Sequence, residues 1–170
     1  GLYKQKAFAQ LVAPIVEALR STAGAATPAT KQNYLLALSG ILSHLPYSIL
    51  EPALPTLVAP LLQTLDLRDT PVKASSLAIF ESLLMHSPAL VAEHASSLIT
   101  RLLNCTAPET SKAEGKTNAN NANSADVRAR ALQCLALVPK QFKREAVVPF
   151  RRLIVKRLSG VLDDGRRRVR

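Results

Sequence analysis

The sequence has few aromatic and glycine residues, which argues against a β-rich fold. Only 4% of its 170 residues are aromatic, none is tryptophan and six are glycine. A β-sandwich or barrel needs many turns and many β-favouring residues. Because the chain is 48% hydrophobic with a mean hydropathy of +0.11, it can bury enough apolar surface to fold. The composition favours a helical domain of ordinary size.

Cysteine is also scarce. The two cysteines, Cys105 and Cys134, lie far apart without a CxxC pair, so the sequence indicates neither a disulfide framework nor a zinc module. Two thiols are too few to hold an iron–sulfur cluster. Cys134 falls on an apolar position of a predicted helix, where a free cysteine packs as a small core residue. We expect no cofactor and no metal, and a reduced setting, cytosolic or nuclear.

No segment reads as a signal peptide or a membrane span. The chain begins Gly1-Leu2-Tyr3-Lys4, without a charged stretch that leads into an apolar one. The longest uncharged run, 32–50, contains Asn33 and Pro46, and it is interpreted as a buried helix followed by a turn. We expect no membrane partner.

The sequence contains no motif typical of catalysis. GxSxG, HExxH and a glycine-rich phosphate loop are all missing. His44 and His86 end predicted helices, and His94 follows Glu93 on a predicted exposed face, so the histidines are interpreted as helix-terminal or surface residues. We expect that the chain is not an enzyme.

Helical periodicity runs through the chain, and prolines interrupt it. Apolar residues recur at three- and four-residue spacing from Leu2 to Arg20, where Pro14 should kink the helix. A second predicted helix runs from Pro28 to His44. The remaining predicted helices cover 51–65, 71–85, 88–104, 124–138 and 144–162.

These helices repeat at intervals of about 42 residues. Aligning Val72 with Val127 superposes the apolar positions that follow, and a shift of 43 residues places Pro28 on Pro71. The interval from Val72 to Val127 is 55 residues, and the surplus lies in the polar stretch 107–124, which we expect to be a mobile loop.

Two helices per repeat are typical of the HEAT and armadillo class. We predict an all-α fold: a HEAT-like α-solenoid of antiparallel helix hairpins, with about three repeats and a preceding helix, forming one domain over 1–170. The element Asp126-Val127-Arg128 resembles the HEAT hallmark. Because the first helix lacks a partner and 163–170 looks like the start of another repeat, we expect a terminal portion of a longer solenoid.

The net charge of +10 is concentrated at one end. Residues 1–125 hold nine basic and eight acidic side chains, whereas residues 126–170 hold thirteen basic and four acidic ones. A nearly neutral body therefore carries a strongly basic end, to which any electrostatic function belongs.

We predict that basic residues of the last two helices and the turn between them form one partner-binding ridge. Arg152 and Lys156 share a helix face because they are four residues apart. A solvated face without a partner, a protein-binding face and a nucleic-acid-binding face all remain open. Nucleic acid is less favoured because no aromatic stacking residues accompany the basic ones. The predicted ridge consists of Lys140, Lys143, Arg144, Arg151, Arg152, Lys156 and Arg157.

Residues 31–39 (KQNYLLALS) and 42–50 (LSHLPYSIL) resemble the C-terminal HEAT domain of the Mms-nineteen family, the adaptor of the cytosolic iron–sulfur protein assembly targeting complex. The resemblance covers most of the chain but not 107–124, which is longer than the family pattern. Further matching segments are 2–5, 52–62, 132–134 and 162–164.

The resemblance implies a scaffold that docks the cluster-carrier subunit and recruits client apoproteins, many of them in DNA replication and repair. It implies a location in the cytoplasm and nucleus, with the cluster chemistry performed by the partner. The alternative is a nucleic-acid or nuclear-transport solenoid that binds phosphates or acidic cargo.

Overall fold

A computed structural model describes residues 2–20, 27–107 and 123–167 of the chain. These residues form helices and turns without a strand, which confirms the predicted all-α, solenoid-like class. Most of the predicted mobile loop, residues 108–122, lies outside the described residues, as does the end of the predicted further repeat beyond 167. No helix in the described ranges is long and apolar enough to cross a bilayer.

The chain divides into two compact units, Gly1–Ile79 and Phe80–Arg170, and the division falls within one helix. The first unit contains α1 (Leu2–Arg20), α2 (Pro28–Ser43), α3 (Tyr47–Leu50), a 3₁₀ turn (Glu51–Ala53), α4 (Leu54–Thr64) and the first part of α5 (Thr70–His86). The second unit contains the rest of α5, α6 (Ala89–Ala92), α7 (Ala95–Cys105), α8 (Ala125–Gln141), α9 (Arg144–Val147), a 3₁₀ turn (Val148–Phe150) and α10 (Arg151–Arg167).

Local sequence explains the ends of α2. Thr27 caps its start, because the threonine hydroxyl accepts the backbone N–H of Thr30 at 3.2 Å. Pro28 occupies the first turn, where its missing N–H leaves no helical carbonyl unpaired. The helix ends before His44, so the predicted helix Pro28 to His44 is confirmed to within one residue. The predicted helix α1 is confirmed at both ends and continues through Pro14.

In the first unit, α2 packs against α1 and α4. Two hydroxyl contacts lie inside this apolar packing. Ser39 Oγ is 2.8 Å from Ser75 Oγ, and Thr64 Oγ1 is 2.6 Å from Ser76 Oγ. Each contact gives buried or half-buried hydroxyl groups a hydrogen-bond partner. The fully buried apolar side chains here include Leu38, Leu42, Leu54, Leu57 and Leu61.

In the second unit, α7 packs mainly against α8, and α10 contacts both of them. The core therefore lies where these three helices meet. Its buried side chains include Leu98, Leu102, Val127, Leu135 and Val138.

The sequence predicted single helices over 51–65, 88–104 and 144–162, and this prediction was wrong. Over 51–65 a 3₁₀ turn precedes α4, and over the other two ranges a short helix precedes the longer one, with a turn between them. Pro52 and Pro149 explain two breaks, because a proline cannot donate to the carbonyl four residues earlier. The third break has no proline and lies at His94, where φ is −104° and ψ is 12°.

The repeat is visible in the helix starts. Helices α2, α5 and α8 begin at Pro28, Thr70 and Ala125, which are 42 and 55 residues apart. Burial also follows an interval of 42: Leu35, Leu38 and Leu42 are buried, as are Leu77, Phe80 and Leu84. The predicted shift of 43 residues between these helices was therefore one residue too long.

Candidate functional site

The basic end of the chain folds into a helical hairpin made of α8, α9 and α10. Ser124 caps α8, because its hydroxyl accepts the backbone N–H of Val127 at 3.3 Å. Helix α8 ends before Phe142, whose backbone is extended with φ −104° and ψ 153°. The chain then turns back through α9, and both α9 and α10 contact α8.

All seven basic residues of the predicted ridge are exposed in this hairpin. They come from three places: the last turn of α8, the start of α9 and the outer side of α10. None of them forms an ion pair with a carboxylate among the described side chains. The ion pair seen in α8 joins Arg130 Nε to Asp126 Oδ2 at 3.2 Å. Within the described part of the chain, the ridge residues are therefore exposed cations without carboxylate partners.

An apolar depression, here called the Phe142 groove, lies between the end of α8 and helices α9 and α10. Its volume is about 640 Å³, which lies within the usual range for binding clefts. Two arginines, Arg144 and Arg151, belong to its lining. The other lining residues are apolar: Pro139, Phe142, Val147, Val148, Ile154 and Val155.

A second depression, here called the Lys156 groove, lies along α10 and has a volume of about 550 Å³. Its lining contains Arg151, Arg152 and Lys156 together with Val155 and Ser159. Arg151 and Val155 line both grooves, so the two grooves adjoin. An apolar cleft thus continues into a basic one on the same hairpin.

The structure brings together only part of the predicted ridge. Arg144, Arg151, Arg152 and Lys156 line the two adjoining grooves. Lys140, Lys143 and Arg157 are exposed but line neither groove. The ridge as a partner-binding site stays a prediction, and the grooves divide it into two sets of residues that can be tested separately.

Sequence reasoning missed the apolar part of this surface. In α10, Ile154 is buried, whereas Val155 is 57% exposed and Leu153 is 53% exposed. One signal was available: 153–155 are three consecutive apolar residues, and a helix cannot turn all three toward one core. Val148 is likewise 54% exposed.

His44 follows α2 and His86 ends α5, as predicted, and both are exposed. His94 was predicted to lie on an exposed helix face, but it lies in the break before α7 and is half-buried. The described residues contain no group of three or more His, Cys, Asp or Glu side chains placed to hold a metal ion.

Both cysteines are buried, and the predicted core position of Cys134 is confirmed. Burial raises the pKa of the Cys134 thiol from 9.0 to about 12. The carboxylate of Glu81 adds to this rise, whereas the guanidinium of Arg130 opposes it. A thiol held neutral in this way is a poor nucleophile, because the thiolate is the reactive form.

Comparisons with known proteins add a family assignment. Residues 1–139 match the family model described as "RNAPII transcription regulator C-terminal". The chain is 30% identical over 169 residues to the human "MMS19 nucleotide excision repair protein homolog", a match that covers 99% of this chain and 15% of that protein. It is also 31% identical to the "DNA repair/transcription protein mms19" of Schizosaccharomyces pombe, with the same coverage. The chain thus spans about one seventh of the length of these relatives.

Proposed function

Because this chain belongs to the Mms-nineteen (MMS19) family, we propose that it is a non-catalytic scaffold that binds the iron–sulfur cluster carrier subunit. In this role it helps to deliver clusters to apoproteins of the cytoplasm and nucleus, including enzymes of DNA replication and repair. The chain itself needs no cofactor, because the carrier holds the cluster. The names of the relatives, which refer to DNA repair and transcription, support the repair part of this proposal.

The observation that carries the proposal is the C-terminal hairpin. It presents seven exposed cations without carboxylate partners in the described part of the chain, next to an apolar groove. Surfaces that combine an apolar centre with charged edges are typical of protein interfaces. Charge complementarity would select an acidic face on the carrier and speed its association.

The proposal is tested by co-purification with the carrier subunit. The variant Arg151→Glu/Arg152→Glu/Lys156→Glu should lose carrier binding, because it reverses three exposed charges around the two grooves. A matched control is Lys6→Glu/Lys31→Glu/Arg68→Glu in the first unit, which lowers the net charge of +10 by the same six units. The proposed site is wrong if both variants keep the carrier or if both lose it, and failure of the unsubstituted chain to bind contradicts the scaffold role.

A second candidate function is direct binding of nucleic acid or acidic cargo, which the exposed cations also favour. Phosphate contacts release counterions, so affinity for DNA should fall steeply with added salt. The apolar Phe142 groove favours the protein partner, because it offers no exposed aromatic face for bases: Phe142 is 8% exposed. A fluorescent DNA duplex that does not bind at low salt would exclude this candidate.

A further inference from the structure

We propose that the Phe142 groove binds an acidic amphipathic helix of a protein partner. The apolar side chains of that helix lie on the groove floor, and its carboxylates meet Arg144 and Arg151. This inference rests on the proposed scaffold function and assigns the partner's chemistry to one cleft.

The floor of the groove is the first argument. Phe142 and Ile154 form its buried base, at 8% and 3% exposure, whereas Val148 and Val155 remain more than half exposed at its sides. The free energy falls when a partner removes exposed apolar side chains around a cleft from water. The groove therefore selects an occupant with apolar side chains along one face.

The charges are the second argument. Arg144 and Arg151 line the groove, and Arg152 and Lys156 continue the positive charge into the Lys156 groove. Glu145 is exposed on α9 and lines neither groove. Guanidinium groups pair well with carboxylates, and both arginines lack such a partner in the described residues. The occupant should therefore be acidic.

The backbone conformation of the occupant follows from what the groove offers. An extended peptide usually gains affinity by pairing with a free sheet edge, and the described residues contain no strand. A polyproline segment docks on aromatic-lined grooves, whereas this groove has a single aromatic residue, Phe142. An amphipathic helix in an apolar groove between helices needs neither feature.

The test uses the full chain and a synthetic fluorescein-labelled peptide of about 18 residues, or five helical turns. The peptide carries leucines on one helical face and glutamates on the other. A second peptide has lysine in place of glutamate, and a third has the acidic composition scrambled so that the leucines share no face. Fluorescence anisotropy should show tight binding of the first peptide only.

Matched variants locate the binding. Val155→Asp and Arg151→Glu should each lower the affinity for the acidic peptide about tenfold or more, because both side chains line the groove. Two control variants change exposed residues outside both the grooves and the ridge: Leu153→Asp on α10 and Lys6→Glu on α1. Their affinity for the acidic peptide should stay within about twofold of that of the unsubstituted chain. Because all four side chains are exposed, the substitutions should leave the fold intact, which circular dichroism checks.

Several results would overturn the inference: no binding of the acidic peptide, equal binding of the scrambled or lysine peptide, or equal losses in the groove and control variants. The inference would also be overturned if a DNA duplex bound in place of the peptide and Val155→Asp weakened the binding of that duplex. Co-purification with the carrier separates this inference from the scaffold function. If the Val155→Asp variant captures the carrier normally, only the inference about the groove is wrong. If the unsubstituted chain does not capture the carrier, the scaffold function is wrong.

Discussion

At the scale of single residues, Cys134 links burial to stability. Its thiol is fully buried, and its pKa of about 12 exceeds the ordinary value of 9.0. The folded chain therefore keeps this proton at pH values where the unfolded chain has lost it. The stabilisation is complete below pH 9 and is lost as the pH rises toward 12.

Alkaline unfolding measures this effect. Between pH 9 and 12 the free energy of unfolding should fall by about 1.4 kcal/mol per pH unit through Cys134 alone. Urea unfolding at pH 8 and pH 10 should show a smaller fall for Cys134→Ala than for the unsubstituted chain, although the variant is less stable at both pH values because of its cavity. Parallel losses in the two proteins would contradict the account.

A second residue, Asn123, connects the residues on either side of 108–122. Its side chain is buried, and Nδ2 donates to Asn104 O at 3.0 Å and to Ala107 O at 3.5 Å. Arg128 Nη1 in turn donates to the Asn123 carbonyl at 3.1 Å. The side chain of Asn123 thus connects the end of α7 to the residues just before α8.

Replacing Asn123 tests this role. Asn123→Ala should lower the free energy of unfolding by about 1–3 kcal/mol, because the two hydrogen bonds of its buried side chain are lost. Asn104→Ala is the control, since its side chain is exposed and only its backbone carbonyl is used. Urea unfolding at pH 7 should show a change within about 0.5 kcal/mol for the control, and equal losses would contradict the role.

At the scale of elements, the first two helices were the most predictable. The sequence predicted α1 at both ends and α2 to within one residue, because a clear apolar period covers α1 and Pro28 marks the start of α2. The breaks near Pro52, His94 and Pro149 were not predicted, because the apolar period continues across them. Two of those breaks had a visible proline, whereas the break at His94 depends on backbone geometry that the sequence does not mark.

The cap of α8 gives a prediction at this scale. Ser124→Ala should lower the melting temperature and cost about 1 kcal/mol, because the Val127 N–H loses its acceptor at the start of this helix. Lys143 precedes α9 without a side-chain cap bond, so Lys143→Ala should change stability by less than about 0.5 kcal/mol. Thermal unfolding followed by circular dichroism checks both, and a Ser124→Ala protein as stable as the Lys143 variant would contradict the cap.

At the scale of the whole molecule, the sequence predicted where the charge lies but not the cleft beside it. The basic residues could be counted along the chain, and all seven predicted ones are exposed. The Phe142 groove could not be predicted, because its lining comes from α8, the α8–α9 turn, α9, the 3₁₀ turn and α10, and it exists only once these pack together. Pro139 carries no signal of its own until that packing is known. The apolar run 153–155 indicates an exposed apolar side chain but not the cleft that Val155 lines.

The central claim is that the C-terminal hairpin docks the cluster-carrier subunit, and amide hydrogen exchange tests it most directly. Exchange of the full chain is measured by mass spectrometry with and without the purified carrier. The account predicts slower exchange in the carrier complex over 139–159, the residues that contribute the two grooves, with little change over 27–79 of the first unit. Protection confined to the first unit, or no protection anywhere in the presence of bound carrier, would contradict it.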